Sequence, residues 1–279
     1  MVKLKNLIRK FPYSIKRILR YIYLKVLDSK DVFTRKREDL IPPRSVHSIG
    51  YGDYKVIGER YFSHFINKCS LGQKNSVLDI GCGSGRMAVP LLKYLDKNGK
   101  YTGFDISKKA IFWCQKNITK ENKSFKFYHA DLYNKMYNPR GNILAEDYCF
   151  PCENASIDLA IAISVFTHMK PVEVLHYMKE VKRVLTPSGK ALFTFFIIDK
   201  SFHRQNFSPD GTYDFKYRFK DYFSIDKNTH EVAIGYSEDI IRNLLKQANL
   251  TISEPIYHGC WAGRESMLDF QDVVIVENI

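Results

Sequence analysis

The glycine-rich segment 77–86, VLDIGCGSGR, constrains the fold of this chain more than any other feature. Its apolar residues Val77, Leu78 and Ile80 are typical of a buried parallel strand. Three glycines then follow at alternate positions, which permit a tight turn close to a ligand. Apolar residues recur with helical spacing as far as Leu95, so the segment predicts a strand, a ligand-binding turn and a helix whose first N–H groups face the ligand.

Two acidic residues follow the next two strands. Asp105 ends the apolar run 101–104, and Asp131 ends the third strand, 125–130. In α/β nucleotide-binding folds, a carboxylate at the end of the second strand holds ribose hydroxyls. Asp131 is placed to accept a hydrogen bond from an adenine amino group. The loop and the two acids together therefore predict a site for a nucleoside-containing ligand.

The glycine spacing selects among such ligands. A dinucleotide fingerprint, GxGxxG, would place its third glycine at position 86, where this chain has Arg86. That difference disfavours a cofactor with a pyrophosphate. It favours S-adenosylmethionine, which carries no phosphate.

Strand and helix patterns alternate from residue 76 onward, which predicts an α/β fold with a doubly wound, mostly parallel seven-stranded sheet. The predicted strands lie near 76–80, 100–104, 125–130, 157–163, 189–198, 251–258 and 270–277. The predicted helices lie near 85–96, 107–119, 172–185 and 237–248. The last two strands are expected to form an antiparallel edge.

Two regions lie outside this alternation. Residues 1–43 form a predicted basic amphipathic helical extension, broken at Pro12, and 44–279 form the main domain. Within that domain, 199–235 is long and rich in aromatic and charged residues, so it predicts a cap over the site. An edge extension that merely covers the sheet is the alternative.

Positive charge is concentrated at the N-terminus. Residues 1–44 contain 13 Lys or Arg and 4 Asp or Glu, which gives +9 of the net +13 and leaves +4 for the remainder. A mildly basic main domain makes nucleic acid an unlikely partner. The extension over residues 1–30 suits an anionic membrane surface, packing on its own domain or on a dimer mate, or targeting. The sequence does not determine the oligomeric state.

Cysteine usage indicates a reducing compartment. The six cysteines have no even framework of spacings, and a disulfide at Cys82 would obstruct the ligand loop. The protein is therefore expected in the cytoplasm, with peripheral attachment to the inner membrane surface if the extension binds lipid.

Several motifs resemble those of class I S-adenosylmethionine-dependent methyltransferases. These are VLDIGCGSGR (77–86), GFDIS (103–107), HADLYN (129–134), 156–169, 180–196 and 259–276. The resemblance covers the chain from about Arg44 and implies a Rossmann-like enzyme with S-adenosylmethionine as cofactor. The cofactor-binding residues that it implies are Asp79, Gly81, Cys82, Gly83, Gly85, Asp105, Ile106, Asp131, Leu132 and Ser164.

The sequence indicates fewer residues for binding the methyl acceptor than for binding the cofactor. His168 follows the fourth strand, where the family's substrate faces the cofactor, and is the candidate general base. A histidine that only bonds a loop and shapes the pocket is the alternative. His203, Trp261 and Arg264 are the candidate substrate-binding residues, although Trp261 and Arg264 equally suit a surface turn. No carboxylate cluster suggests a catalytic metal.

The predicted reaction is O-methylation of a small-molecule or glycan hydroxyl. The (Asn/Asp)-Pro-Pro-(Tyr/Phe) clamp of many N-methyltransferases is missing after the fourth strand, where the chain reads SVFTH at 164–168. An RNA methyltransferase is one alternative, supported by the basic N-terminus. A membrane-tethered protein that binds the cofactor without turnover is the other.

Overall fold

The chain folds around a seven-stranded sheet in the order β3-β2-β1-β4-β5-β10-β9. The computed structural model describes residues 13–34, 38–47, 53–198, 213–264 and 268–279. The strands of this sheet are β1 (Ser76–Ile80), β2 (Lys100–Asp105), β3 (Phe125–His129), β4 (Ile157–Ala162), β5 (Leu185–Phe195), β9 (Thr251–Ile252) and β10 (Asp272–Glu277). Three short strands form a second sheet, namely β6 (Tyr217–Arg218), β7 (Phe223–Ser224) and β8 (Ile234–Gly235).

Six α-helices accompany these strands in the described residues. They are α1 (Tyr13–Phe33), α2 (Tyr54–Cys69), α3 (Ala88–Tyr94), α4 (Lys108–Glu121), α5 (Pro171–Val184) and α6 (Glu238–Gln247). Helices α2, α3 and α4 bury apolar side chains in the core cluster on one face of the sheet, and α5 and α6 do so in the cluster on the other face. This two-faced burial explains why β1, β4 and the second half of β5, from Ala191 to Phe195, are mostly apolar.

Strand order reverses at β1, and this reversal positions the site. β1 pairs in parallel with β2 on one side and with β4 on the other. The helices that follow these strands leave in opposite directions, which opens a crevice at the carboxyl ends of the strands. β10 is antiparallel to both β5 and β9. The predicted doubly wound, mostly parallel sheet with an antiparallel edge is confirmed.

Some predicted boundaries are wrong. The strand predicted over 189–198 is observed as β5, Leu185–Phe195, and residues 187–189 form a bulge inside it, where Ser188 has a φ of +63° and the pairing with β4 shifts register. The strand predicted over 251–258 is reduced to Thr251–Ile252, followed by a single bridge between Tyr257 and Val273. A β-bulge and a short edge strand leave little signal in the hydrophobic periodicity of a sequence.

The predicted cap is structured where it is described. Residues 213–235 contain β6, β7 and β8 and continue into α6. Phe215 packs with Phe196 and Trp261 in a small core of its own, with ring centroids 5.3 and 5.4 Å from Phe215. Residues 199–212, including His203, lie outside the described residues.

Helix α1 is described from Tyr13 onward, and the break predicted at Pro12 lies outside the described residues. It is not an isolated extension, because its Asp28 side chain bonds the backbone of residues 44 and 45. Within the described part of the chain, no helix combines the length and apolar character needed to cross a bilayer. The domain boundary between 43 and 44 stays a prediction.

Candidate active site

A cavity of about 230 Å³ opens at the carboxyl ends of β1, β2 and β4. It lies in the crevice that the strand order creates. Nine of the residues predicted from the sequence line it, on both the cofactor and the acceptor side: Asp79, Gly81, Cys82, Gly83, Asp105, Ile106, Leu132, Ser164 and His168. These residues come from four separate strand ends, so the topology brings them together.

The glycine-rich loop forms the floor of the cavity. Gly83 has a φ of +52°, and a Cβ added there would meet no heavy atom within 4 Å. Any side chain would project into open space at the cavity wall, so glycine keeps the backbone accessible to a ligand. Gly85 differs, because its Cβ would lie 2.4 Å from Ile118 Cδ1. Gly85 therefore serves loop packing and does not line the cavity.

The predicted helix over 85–96 begins later, at Ala88, and spans one and a half to two turns. Residues 85–87 form a turn between the loop and the helix. The loop backbone, and not an extended helix N-terminus, is consequently the polar surface offered to a ligand.

Asp105 braces this loop. One carboxylate oxygen accepts the N–H of Gly83 at 2.9 Å, and the other accepts the N–H of Ser107 at 2.6 Å. Burial raises the pKa of this carboxyl above its ordinary value, while the two backbone N–H donors counteract the rise. Asp105 thus joins the loop to the start of α4 and presents negative charge to the cavity.

Asp79 is a second carboxyl on the cavity wall. Its side chain accepts a hydrogen bond from the Tyr101 hydroxyl and is almost completely buried. Burial raises its pKa to about 7, and the nearby charge of Asp105 adds to the rise. A cationic ligand group beside these two carboxyls would favour their ionised forms.

His168 lines the cavity from a short helical turn after β4. Its Nδ1 lies 2.8 Å from the carbonyl oxygen of Glu231, which only accepts, so Nδ1 carries the proton. Nε2 is therefore an acceptor, and it lies 3.4 Å from the Tyr137 hydroxyl. Burial lowers the pKa of His168, which keeps the ring neutral. The ring offers the cavity one unprotonated nitrogen.

Aromatic and polar side chains that sequence reasoning missed surround His168. Tyr133, Asn134, Tyr137 and Glu173 line the same end of the cavity, and Tyr133 is 41% exposed. Burial raises the pKa of Glu173, which also accepts the backbone N–H of Lys170. The motif HADLYN contains two of these residues, but its spacing does not show which side chains turn inward.

His47 and Arg86 were also missed as lining residues. Arg86 donates to Nε2 of His47 at 2.6 Å, and Nδ1 of His47 lies 3.0 Å from the Ser84 hydroxyl. Both side chains line the cavity next to the glycine loop. His47 is 39 residues from Arg86 in sequence, so no local pattern indicates their contact.

Asp131 does not lie on the cavity. Its carboxylate accepts hydrogen bonds from the side-chain amides of Asn138 at 3.1 Å and Asn142 at 2.6 Å. These bonds lower its pKa and fold the loop after β3 back on itself. The expected role in holding adenine is not supported by this placement, whereas Leu132, its neighbour, does line the cavity.

Trp261 and Arg264 were expected at the pocket mouth, and the structure places them elsewhere. The Trp261 side chain is 1% exposed, and its Nε1 donates to Asp272 at 2.6 Å. Arg264 donates to the other oxygen of Asp272 at 3.0 Å. Asp272 is fully buried, so these donors offset the cost of its desolvation. The turn between the last two strands is a structural support.

Ser164 lines the cavity in a left-handed conformation, with a φ of +57°. Its N–H bonds the Thr194 hydroxyl at 2.7 Å, and its own hydroxyl donates to Gln271 at 2.9 Å. These contacts fix the backbone between β4 and His168. They tie the part of the cavity around His168, here called the acceptor end, to β5 and to Gln271, the residue that precedes β10.

The cavity fits a nucleoside bearing a cationic amino acid. The open space at Gly83, the carboxyl of Asp105 and the buried carboxyl of Asp79 suit the backbone, ribose and ammonium contacts of S-adenosylmethionine. The sheet order and this site define the class I methyltransferase fold.

Comparison with known proteins agrees with that class. Residues 77–189 match the family model of a methyltransferase domain. An S-adenosylmethionine-dependent methyltransferase from Clostridium acetobutylicum superimposes with a TM-score of 0.52, at 15% identity over 92% of this chain and 98% of that chain. A protein from Pyrococcus horikoshii gives a TM-score of 0.54, at 19% identity over 84% and 95% of the two chains. At these identities the structures show the fold.

Residues 77–189 thus carry a methyltransferase domain, and the chain is an S-adenosylmethionine-dependent methyltransferase with S-adenosylmethionine as its cofactor. Curated relatives include a tRNA(Thr) (cytosine(32)-N(3))-methyltransferase from Saccharomyces cerevisiae, at 28% identity over 42% of this chain and 18% of that protein. A tRNA N(3)-methylcytidine methyltransferase from Schizosaccharomyces pombe is 31% identical over 44% and 36%. Another, from Drosophila melanogaster, is 24% identical over 64% and 49%. The chain spans less than half the length of each.

These relatives contradict the predicted partners. The sequence was expected to specify a small-molecule or glycan acceptor and to make nucleic acid unlikely. All three relatives are named for tRNA as substrate, so that prediction is wrong. It relied on the mild net charge of the main domain, but net charge does not report how charged side chains are distributed around one cavity.

Proposed function

We propose that this protein transfers the methyl group of S-adenosylmethionine to a ring nitrogen of a nucleobase in RNA, with tRNA as the first candidate. One observation carries the proposal: three curated relatives are tRNA methyltransferases that act at N3 of cytosine. The chain is much shorter than these relatives, so the RNA and the methylated position are both parts of the proposal.

The chemistry of a ring nitrogen suits the cavity. The methyl group of S-adenosylmethionine is activated because it is bonded to a positively charged sulfur. N3 of neutral cytosine carries a lone pair, so no proton has to leave before it attacks. The protein then contributes mainly by holding the base in line with the methyl carbon and by excluding water. A strong general base is unnecessary.

His168 supplies an orienting contact in this proposal. Its unprotonated Nε2 is a hydrogen-bond acceptor on the cavity wall, and the exocyclic amine of cytosine is a donor. An acceptor at this position favours an amino-bearing base over one that presents a carbonyl there.

Aromatic residues at the same end suit an unstacked base. Tyr133 and Tyr137 line the cavity, and proteins that act on RNA bases hold them by stacking on such rings. The net charge of +13 supports attraction to phosphate.

Because all six cysteines are free thiols, we also propose the cytoplasm as the compartment.

Transfer of labelled methyl groups to RNA tests the proposal. Purified protein is incubated with methyl-tritiated S-adenosylmethionine and total tRNA. The RNA is then digested, and its nucleosides are separated by chromatography and identified by mass spectrometry. We expect label in a base-methylated nucleoside, with 3-methylcytidine as the first candidate. Nuclease treatment before the reaction should abolish it.

Two histidine variants make this experiment specific. His168→Gln should reduce the label in RNA. His176→Gln is the matched control, because His176 also bonds a backbone carbonyl, that of Tyr148 at 2.9 Å, but does not line the cavity. Protein that binds the cofactor yet labels no RNA nucleoside would overturn the RNA proposal and leave the family assignment intact.

A further inference from the structure

Helix α1 is joined to the methyltransferase domain through a buried carboxylate. Asp28 is only 7% exposed. One of its oxygens accepts the N–H of Arg44 at 2.6 Å, and the other accepts the N–H of Ser45 at 3.0 Å. Charge-assisted bonds to two successive backbone N–H groups fix the conformation of the turn formed by residues 44–47.

The same turn is held from a second side. Lys109, near the start of α4, donates to the carbonyl oxygen of Ser45 at 2.8 Å. Its ammonium also lies over the ring of Tyr21 on α1, 4.7 Å from the centroid. The turn is therefore clamped between α1 and the helix that follows Asp105.

This turn carries His47 to the glycine-rich loop. Burial lowers the pKa of His47 to about 4, so its ring is neutral and its Nε2 accepts a hydrogen bond from Arg86. Nδ1 donates to Ser84, and the ring packs edge-on against Tyr54 at 4.8 Å. Val46 and His47 line the cavity together with the loop residues Ser84 and Arg86.

We propose that Asp28 is a positioning residue for S-adenosylmethionine binding. It acts through the turn at 44–47, which places His47 against Arg86 at the glycine-loop end of the cavity. The bound cofactor has a carboxylate, and a guanidinium that is already oriented loses less entropy when it forms a paired contact. Helix α1 is thus part of the cofactor site. This inference rests on the cofactor and not on the identity of the RNA.

Cofactor titration of two acidic variants on α1 tests the inference. Asp28→Ala is expected to weaken S-adenosylmethionine binding about tenfold by calorimetry, because the turn loses both acceptors. Asp31→Ala is the matched control. Asp31 lies on the same helix and pairs with the side chain of Arg44 without bonding the turn's backbone. The affinity of Asp31→Ala for S-adenosylmethionine should therefore stay within about twofold of that of the parent protein.

A readout without cofactor separates positioning from binding chemistry. In the unliganded protein, amide hydrogen exchange at residues 44–47 should accelerate in Asp28→Ala and stay unchanged in Asp31→Ala. If Asp28→Ala does not fold, Asp28→Asn replaces it. The amide oxygen of that variant accepts hydrogen bonds at one position only, so an intermediate loss of affinity is expected.

A double-mutant cycle supplies the decisive outcome. If Asp28 acts through His47, the variant carrying both Asp28→Ala and His47→Ala should bind the cofactor no more weakly than His47→Ala alone. Fully additive losses, or an Asp28→Ala affinity equal to that of the parent protein, would overturn the inference. None of these outcomes depends on RNA methylation.

Discussion

The two ends of the cavity differ in how they are built. At the cofactor end, Gly83 lies in the glycine-rich motif after β1 and Asp105 is the last residue of β2, so a local sequence pattern marks each of them. At the acceptor end, His168 is oriented by the carbonyl of Glu231, a residue 63 positions away. Local sequence therefore predicts the glycine loop and Asp105 at the cofactor end, whereas the orientation of His168, like the contact between His47 and Arg86, depends on distant segments.

The strongest test of this comparison contrasts two acids that follow neighbouring strands. Asp105→Ala should weaken S-adenosylmethionine binding about 100-fold, equivalent to about 2.7 kcal/mol, because Gly83 and Ser107 lose their acceptor and the cofactor loses a carboxylate. Asp131→Ala should change the affinity less than about twofold, since that carboxylate faces Asn138 and Asn142. Calorimetry measures both, and equal losses would contradict the placement of Asp131.

A smaller effect is expected on stability at the support behind the acceptor end. Trp261→Phe removes the N–H donor to the buried Asp272 and should lower the free energy of unfolding by about 1–3 kcal/mol. Cofactor affinity should be unchanged, because Trp261 does not line the cavity. Chemical denaturation and calorimetry on the same preparation check both statements. If Trp261→Phe kept its stability but bound the cofactor more weakly, Trp261 would be a ligand-binding residue and not a structural one.

The smallest expected effect is a pH dependence at the cofactor end. Burial raises the pKa of Asp79 to about 7, so its carboxyl gains negative charge between pH 6 and pH 8. S-adenosylmethionine affinity should rise about fivefold over this interval, and Asp79→Asn should flatten the profile. The unliganded protein should lose stability over the same rise in pH, because the folded state binds this proton more tightly than the unfolded state does.

The sequence predicted the doubly wound, mostly parallel sheet and the glycine loop well, since strands, helices and the loop each have a local sequence pattern. It did not indicate the partners of Asp131. A carboxylate after a strand satisfies the motif, but in the structure Asn138 and Asn142 bond it and it does not line the cavity. The contact between His47 and Arg86 spans residues that no periodicity relates. The exposed aromatic Tyr133 gives no sequence signal that separates a lining residue from a surface one.

The placement of Trp261 and Arg264 shows the same limit. A glycine-flanked turn that contains an arginine resembles a ligand-binding loop when only its composition is known. The fold supplies the competing partner, the fully buried Asp272, whose oxygens both side chains contact. The prediction of an acceptor class also failed, and the residues proposed here to receive the acceptor come from two separate segments, 133–137 and 168–173.

Paired measurements on His168→Gln test most directly the claim that the cavity has a cofactor end and an acceptor end that are separable. The dissociation constant for S-adenosylmethionine is measured by calorimetry, and kcat for methyl transfer to tRNA is measured on the same protein. The account predicts a cofactor affinity within about twofold of the parent protein and a kcat lowered by about 10- to 100-fold. Parallel losses in cofactor affinity and kcat, or an unchanged kcat, would contradict it.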